Sequence, residues 1–288
     1  MQNRPVNEMN NPNADRVKRV AQLAGRSAVR NRRKQFLAEG PQSVREALRA
    51  HLGLLDLSSE ASQCWPSGGT LAEVYYTSRL SSTQPEVYEL LTQLGLNEFV
   101  AEVSDEVLQA MSDAVVHQNI IAVVNLPTTQ IAVPQDAQLV AGLVRVQDPG
   151  NAGTIIRAAD AAGASCIIAT PHTVDFYNPK TVRSTAGSLF HLPLISNVDL
   201  EDFKGTYRGQ IFGADGYGDV ALESCTPDTL KEPTAWLFGN EARGLSHTEL
   251  ESVNARVAVP LYGLAESLNV ATAATICLYT SAMALHGS

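Results

Sequence analysis

The sequence predicts an α/β protein: a mostly parallel sheet in its second half, preceded by a small α/β module. Three observations carry this. From Leu139 onward, short apolar strands alternate with helices at close intervals, the pattern of a parallel sheet with helices on both faces. Before residue 126 the strand and helix signals are mixed and end on the β-branched run Ile120-Ile121-Ala122-Val123-Val124. A stretch with Pro127, Thr128, Thr129 and Pro134 then reads as a connection.

In order, residues 1–14 are rich in Asn and Pro and read as a tail. A basic helix is expected from Arg16 to Lys34, where Val17, Val20, Ala24 and Ala28 recur at helical spacing. Helices follow at 44–51, 85–94 and 105–111, and strands at 72–76 and 120–124. This module spans 15–126, the connection 127–138 and the second domain 139–288. Its strands are expected at 139–146, 166–169, 210–214, 235–238 and 255–259. Helices are expected at 154–162, 179–186, 200–207, 248–252 and from Asn269 to about 285.

Of 288 residues, 44% are apolar, so a core can form. No run approaches the roughly 18 apolar residues of a membrane span, and Met1-Gln2-Asn3-Arg4-Pro5 is no signal-peptide start. A cytoplasmic address without membrane partners is the expectation. Cys64, Cys166, Cys225 and Cys277 form no CxxC pair, so neither a metal site nor a disulfide framework is expected.

The net charge of −9 conceals an uneven distribution. Residues 1–50 carry 11 Lys and Arg against 4 Asp and Glu, while the remainder carries 10 against 26. Arg19, Arg26, Arg30 and Arg33 fall on one side of the expected basic helix, with Arg32 and Lys34 beside them. Such a run is either a solvated face or a phosphate-contacting helix.

Three loops in the second domain carry chemistry, each at a strand end, where α/β sheets bind ligands. The first is Asp148-Pro149-Gly150-Asn151-Ala152-Gly153, with Asn151 placed to cap the following helix. Arg157 stands on that helix among Ile and Ala; burying its guanidinium would be costly without an anionic partner. The second is Gly239-Asn240-Glu241-Ala242-Arg243-Gly244-Leu245, whose glycines allow close backbone approach and whose Glu241 could pair with Arg157 or take a proton. The third, Pro260-Leu261-Tyr262-Gly263-Leu264-Ala265-Glu266-Ser267-Leu268-Asn269-Val270, runs into the last helix, capped by Ser267 or Asn269.

Together, Asn151-x-Gly153-x-x-x-Arg157, Gly239-Asn240-Glu241-x-x-Gly244-Leu245 and Pro260-Leu261-x-Gly263-x-x-x-Ser267-Leu268-Asn269-Val270 resemble the three motifs of the SpoU (TrmH-like) RNA ribose methyltransferases of the SPOUT superfamily. The likeness runs from Leu139 to the C-terminus. It departs at Ala242, where many relatives have glycine, and at Ala271, where serine is frequent. More loosely, Gln35-Phe36-Leu37-Ala38-Glu39-Gly40 and Val44-Arg45-Glu46-Ala47-Leu48 resemble the ribosomal-protein-like substrate domain of larger members, including the thiostrepton-resistance type.

The resemblance implies a trefoil-knotted domain that moves a methyl group from S-adenosylmethionine to a ribose 2′-hydroxyl, with ribosomal RNA, 23S above all, as the favoured substrate. It implies cofactor contacts at Gly213, Ala214, Gly239, Val259, Leu261, Ser267 and Leu268. Catalytic roles fall to Arg157, positioned by Asn151 and Glu241, with Ser267 and Asn269 in support. The resemblance gives Arg157 the task of deprotonating or orienting the 2′-hydroxyl, often as a general base; arginine is protonated at neutral pH, so Arg157 is read as a clamp on the phosphate beside the target ribose, with transient base character as the alternative. Lys180 and Arg183 match a further feature near the RNA, although an exposed helix with scattered charges accounts for them equally. A homodimer is implied, each site borrowing residues from the neighbouring subunit. A transfer-RNA methyltransferase and a non-catalytic RNA-binding protein are the alternatives. A Rossmann-type enzyme is disfavoured by the lack of GxGxxG.

Overall fold

The computed structural model describes residues 7–129 and 131–287 and divides into two compact units. The first unit runs to Thr129 and also takes in Tyr177–His191; the second holds the rest of the described chain.

The first unit is built on a mixed five-stranded sheet of β1 (Asn7–Met9), β2 (Gln35–Glu39), β3 (Leu71–Tyr76), β4 (Phe99–Val103) and β5 (Ile120–Asn125), in the order β1-β4-β3-β5-β2. Residues 7–9, expected within the tail, instead pair in parallel with β4, Asn7 opposite Ala101; residues 1–6 lie outside the described residues. The expected basic helix is two helices, Asp15–Gly25 and Ser27–Arg33, interrupted at Arg26 in extended backbone (φ −133°, ψ 126°). Gly25 is a weak helix former, and the chain turns there. Val17, Val20 and Leu23 pack into the core with Leu37, Tyr75 and Ile121.

The sequence reading assigned Tyr177–His191 to the second domain, and its place in the first unit has a physical cause. The Phe36 ring lies 4.9 Å from Tyr177, and Trp65 lies 4.9 Å from Phe190. The buried Glu46 carboxylate meets Arg45 at 2.8 Å, Arg49 at 3.4 Å and His191 at 3.2 Å. Burial alone would raise the Glu46 pKa, but the hydrogen bonds from His191 and Arg45 and the charge of Arg49 outweigh it and hold it at about 2. A carboxylate whose folded pKa is depressed stabilises the fold above its ordinary pKa and loses that contribution as pH falls through the folded value. The melting temperature is therefore expected to drop as pH is lowered from about 4.5 to about 2. Glu46→Gln should flatten that part of the profile in a calorimetric pH series.

The second unit holds seven strands: β6 (Leu139–Leu143), β7 (Cys166–Ala169), β8 (Leu194–Ser196), β9 (Gln210–Ala214), β10 (Val220–Ala221), β11 (Thr234–Phe238) and β12 (Ala255–Ala258). They run in the order β10-β12-β9-β11-β6-β7-β8. Every pairing is parallel. β6 and β11 are buried along their whole length, as central parallel strands must be. Helices Pro149–Ala161 and Val270–His286 pack against one another, and the latter also lies against β6, β9 and β11. There the fully buried Trp236 donates its indole N–H to Ser281 Oγ at 2.9 Å. Ser281→Ala leaves that donor unpaired, and a loss of about 1–3 kcal/mol in unfolding free energy is expected in a urea titration. No helix among the described residues is long and apolar enough to cross a membrane.

Candidate active site

β6, β9, β11 and β12 are adjacent and parallel, so their carboxyl ends and following loops gather at one end of the sheet. Helix Pro149–Ala161 begins there, capped by Asp148, whose carboxylate accepts the Asn151 N–H at 2.8 Å. Asn151 is therefore not the cap. Standing three residues inside the helix, its side chain is available to bridge the loops.

That bridge joins all three motifs. Glu241 accepts the backbone N–H groups of Asp148 at 2.9 Å and Gln147 at 3.2 Å, and the Asn151 amide at 3.2 Å. Asn269 donates to Asn151 Oδ1 at 3.0 Å and caps the last helix by accepting from Ala271 and Thr272. Burial would raise the Glu241 pKa, but the backbone donors and the Asn151 amide outweigh it and hold the carboxyl below its ordinary value. Glu241 is thus an ionised clamp and a poor proton acceptor at neutral pH.

The second motif closes on itself. Asn240 and Gly244 exchange backbone hydrogen bonds at 3.2 and 2.7 Å. A Cβ on Gly239 would lie 2.4 Å from the Gly244 carbonyl carbon, so no other residue fits without moving the backbone. Arg145, which sequence reasoning missed, holds this loop from outside. Its carbonyl accepts the Asn240 side-chain amide at 3.0 Å, and its guanidinium reaches Gly244 O at 3.3 Å and Glu249 at 2.5 and 2.7 Å. Its left-handed backbone (φ 55°) is fixed by Thr170 and Thr173, whose hydroxyls each accept its N–H at 3.1 Å. The strand-end position before Asp148-Pro149 was the one available signal.

Among these loops lies a cavity of about 160 Å³ lined by Ala214, Gly239, Val259, Leu261, Ser267 and Leu268, six residues expected to meet the cofactor. The seventh, Gly213, does not line it and packs beneath Leu245. Asp215, Glu241 and Glu266 also line it, and no Lys, Arg or His does. The loop from Val259 to Leu268 makes no backbone hydrogen bond to another backbone group among the described residues, leaving its peptide groups for a ligand. Peptide donors and acceptors suit an adenine edge, and the carboxylates suit a sulfonium.

Arg157 sits on the exposed stripe of its helix with Thr154, while Ile155 and Ile156 point inward. Its head is solvated, so the desolvation cost inferred from its apolar neighbours does not arise. Among the described residues it makes no hydrogen bond or ion pair, and neither Asn151 nor Glu241 is bonded to it. Ser267 is exposed at the cavity, also without a hydrogen-bond partner among the described residues.

The expected RNA contacts fare unequally. Arg30 is 3% exposed and donates to Leu23 O at 2.9 Å, so it leaves the basic surface for the interior. Arg19 pairs with Glu73 at 2.5 Å. Arg26, Arg32 and Lys34 are exposed and Arg33 is half-buried, but the break at Arg26 abolishes the single basic stripe. Arg183 is bonded to the buried Glu39 and lies 3.1 Å from Asp113, which occupies its charge within the first unit. Lys180 is exposed.

The SpoU rRNA methylase profile matches residues 138–279. The chain is 37% identical over 179 residues to the 23S rRNA (guanosine(2553)-2′-O)-methyltransferase RlmP of Bacillus subtilis, covering 61% of this chain and 69% of that protein. It is 37% identical over 170 residues to the 23S rRNA (uridine(2479)-2′-O)-methyltransferase of Streptomyces viridochromogenes, covering 56% of this chain and 58% of that one. The crystal structure of an AdoMet-bound rRNA methyltransferase from Sinorhizobium meliloti superposes with a TM-score of 0.76 at 28% identity, covering 96% and 97% of the two chains. The chain belongs to the SpoU rRNA methylase family. It is accordingly a methyltransferase of the type that takes its methyl group from S-adenosylmethionine.

Proposed function

We propose that the protein methylates a ribose 2′-hydroxyl of 23S ribosomal RNA. The observation that carries this is the union of the three motif loops, through Glu241, Asn151 and Asn269, around an acid-lined cavity at the carboxyl ends of the parallel strands. The 23S substrate of both relatives supports the choice of RNA.

S-adenosylmethionine supplies an electrophilic methyl on a sulfonium, and the chain's own residues must orient the attacking oxygen behind it. Backbone groups at Gly239, Val259, Leu261 and Leu268, with Ala214 and the Ser267 hydroxyl, hold the cofactor. Glu241 and Glu266 favour its cation, while the charge of Asp215 is already met by Arg256 at 3.0 Å. The same carboxylates repel RNA phosphate, so a separate cation must meet the backbone beside the target ribose. Arg157, exposed and without an ion pair among the described residues, is that cation. Methyl transfer would break the sulfonium C–S bond as the C–O bond forms, and the 2′-hydroxyl proton would pass to solvent water, because Glu241, held ionised by backbone donors, is too weak a base to accept it.

The last helix exposes Ile276, Tyr279 and Met283 at spacings of three and four residues, an apolar stripe that supports a homodimer formed on this helix. The loop that leaves β12 and returns the chain across β6, β9 and β11 supports the trefoil knot of the family. The first unit, with Arg26, Arg32, Arg33 and Lys34, serves as the RNA grip. A cytoplasmic address accords with a ribosomal substrate.

The test is methyl transfer from radiolabelled S-adenosylmethionine to unmodified transcripts of 23S, 16S and transfer RNA, followed by nucleoside analysis. Label in a 2′-O-methylnucleoside from 23S RNA is expected. Label in a base, or in transfer RNA alone, contradicts the proposal.

A further inference from the structure

The first unit contains a cleft of about 460 Å³ that no motif accounts for, within the roughly 300–1,000 Å³ range of ligand pockets. It opens where helix Ser27–Arg33 ends against β5 and the segment Leu126–Thr129. Arg33 and Lys34 line it and no Asp or Glu does, in a chain with 30 acidic residues against 21 basic ones. The Arg33 Nε is buried, with no hydrogen-bond partner among the described residues. A buried guanidinium N–H of this kind is costly unless an acceptor completes it.

The rest of the cleft differs from a simple anion site. Pro66 and Pro127 give it flat apolar walls, and Gln63, Thr128 and Thr129 add side chains that can donate and accept hydrogen bonds. Its floor is fixed: Asn125 donates to Gly69 O at 2.9 Å and accepts from Gln35, and Leu126 N–H donates to Lys34 O at 2.8 Å. Lys34 is held in left-handed backbone (φ 54°) at the helix end. Two cations, two prolines and a side-chain amide lining one cleft supply partners for the three parts of a nucleotide: phosphate, base face and base edge.

We propose that this cleft takes a single unpaired nucleotide of the RNA substrate, its phosphate on Arg33 and Lys34 and its base between the prolines within reach of Gln63. Proteins that read RNA by sequence mostly do so on such splayed-out bases, because the grooves of paired RNA give side chains little to read. The inference rests on the RNA-methylation reading and deepens it. The basic segment is a site for one nucleotide rather than a continuous electrostatic stripe, which agrees with the burial of Arg30 and the break at Arg26.

The test compares the full-length protein with Arg33→Gln and Gln63→Ala in fluorescence-anisotropy titrations against a labelled, unmodified 23S RNA transcript at several salt concentrations. S-adenosylmethionine affinity, measured by calorimetry, reports whether the variants are folded. Arg33→Gln is expected to weaken RNA binding about tenfold and to reduce the slope of log affinity against log salt by about 0.7–0.9. Gln63→Ala should weaken binding severalfold without changing the slope. Unchanged RNA affinity in both variants overturns the site, as does binding of free AMP or inorganic phosphate that depends on Arg33 while RNA binding does not. If the wild-type protein methylates RNA and the variants bind it normally, only the cleft assignment fails. If the wild-type protein methylates no RNA, the underlying reading fails.

Discussion

Replacing Arg157 with alanine is expected to reduce methyl transfer by roughly a hundredfold or more, with S-adenosylmethionine affinity within a factor of two or so of the wild-type value. The asymmetry follows from position. Arg157 lies on the solvent stripe of its helix and does not line the cavity among the three motif loops. It has no hydrogen bond or ion pair among the described residues to lose, so its removal should also leave the melting temperature nearly unchanged. Arg157→Lys keeps the charge but not the planar fork and should recover part of the rate. Single-turnover kinetics with saturating cofactor, together with calorimetric cofactor binding, separate the two quantities. A variant that turns over at the wild-type rate would show that the phosphate beside the target ribose is met elsewhere.

The second large effect is expected at Asn269. Its side chain caps the last helix through Ala271 and Thr272 and ties the third loop to the first through Asn151. Asn269→Ala removes both functions. Loss of an N-cap costs about 0.5–2 kcal/mol, and freeing the loop should weaken S-adenosylmethionine binding by about an order of magnitude, because Val259, Leu261 and Leu268 would no longer be preset. Glu241→Gln attacks the same network from the second loop: one amide oxygen cannot replace a carboxylate that accepts from Asp148, Gln147 and Asn151. Asn269 and Glu241 both act through Asn151, so the double variant should lose less than the sum of the singles. Additive losses in cofactor affinity would mean that the loops are held independently.

The legible parts of the molecule were those with strong periodicity or distinctive side chains. The central strands of the second unit could be read because they are buried on both sides and therefore nearly uniformly apolar, as in Thr234–Phe238. Some short or partly polar strands could be read, as at Cys166–Ala169 and Ala255–Ala258, but others, among them two in the first unit, could not. Asn7–Met9 has three residues and no apolar alternation, and Phe99–Val103 contains Glu102. The motif loops were visible as motifs, but their division of labour was not. Which side chain caps a helix depends on a backbone angle at Asp148, and one shift of three residues turned Asn151 from a cap into a bridge. Arg145 was silent for a similar reason, since its importance lies in a left-handed conformation and a contact 99 residues away at Gly244. Charge alone misled in the basic segment, where periodicity could not tell that Arg30 turns inward, and at Arg183, whose charge is met by Glu39 and Asp113.

Mapping ribose methylation across the ribosomal RNA of a strain lacking this gene, against the same strain complemented with the wild-type or Arg157→Ala chain, tests the central claim most directly. One 23S 2′-O-methyl position should be absent in the deletion, restored by the wild-type chain and not restored by Arg157→Ala. Identical ribose methylation in the deletion and its complemented control would contradict it.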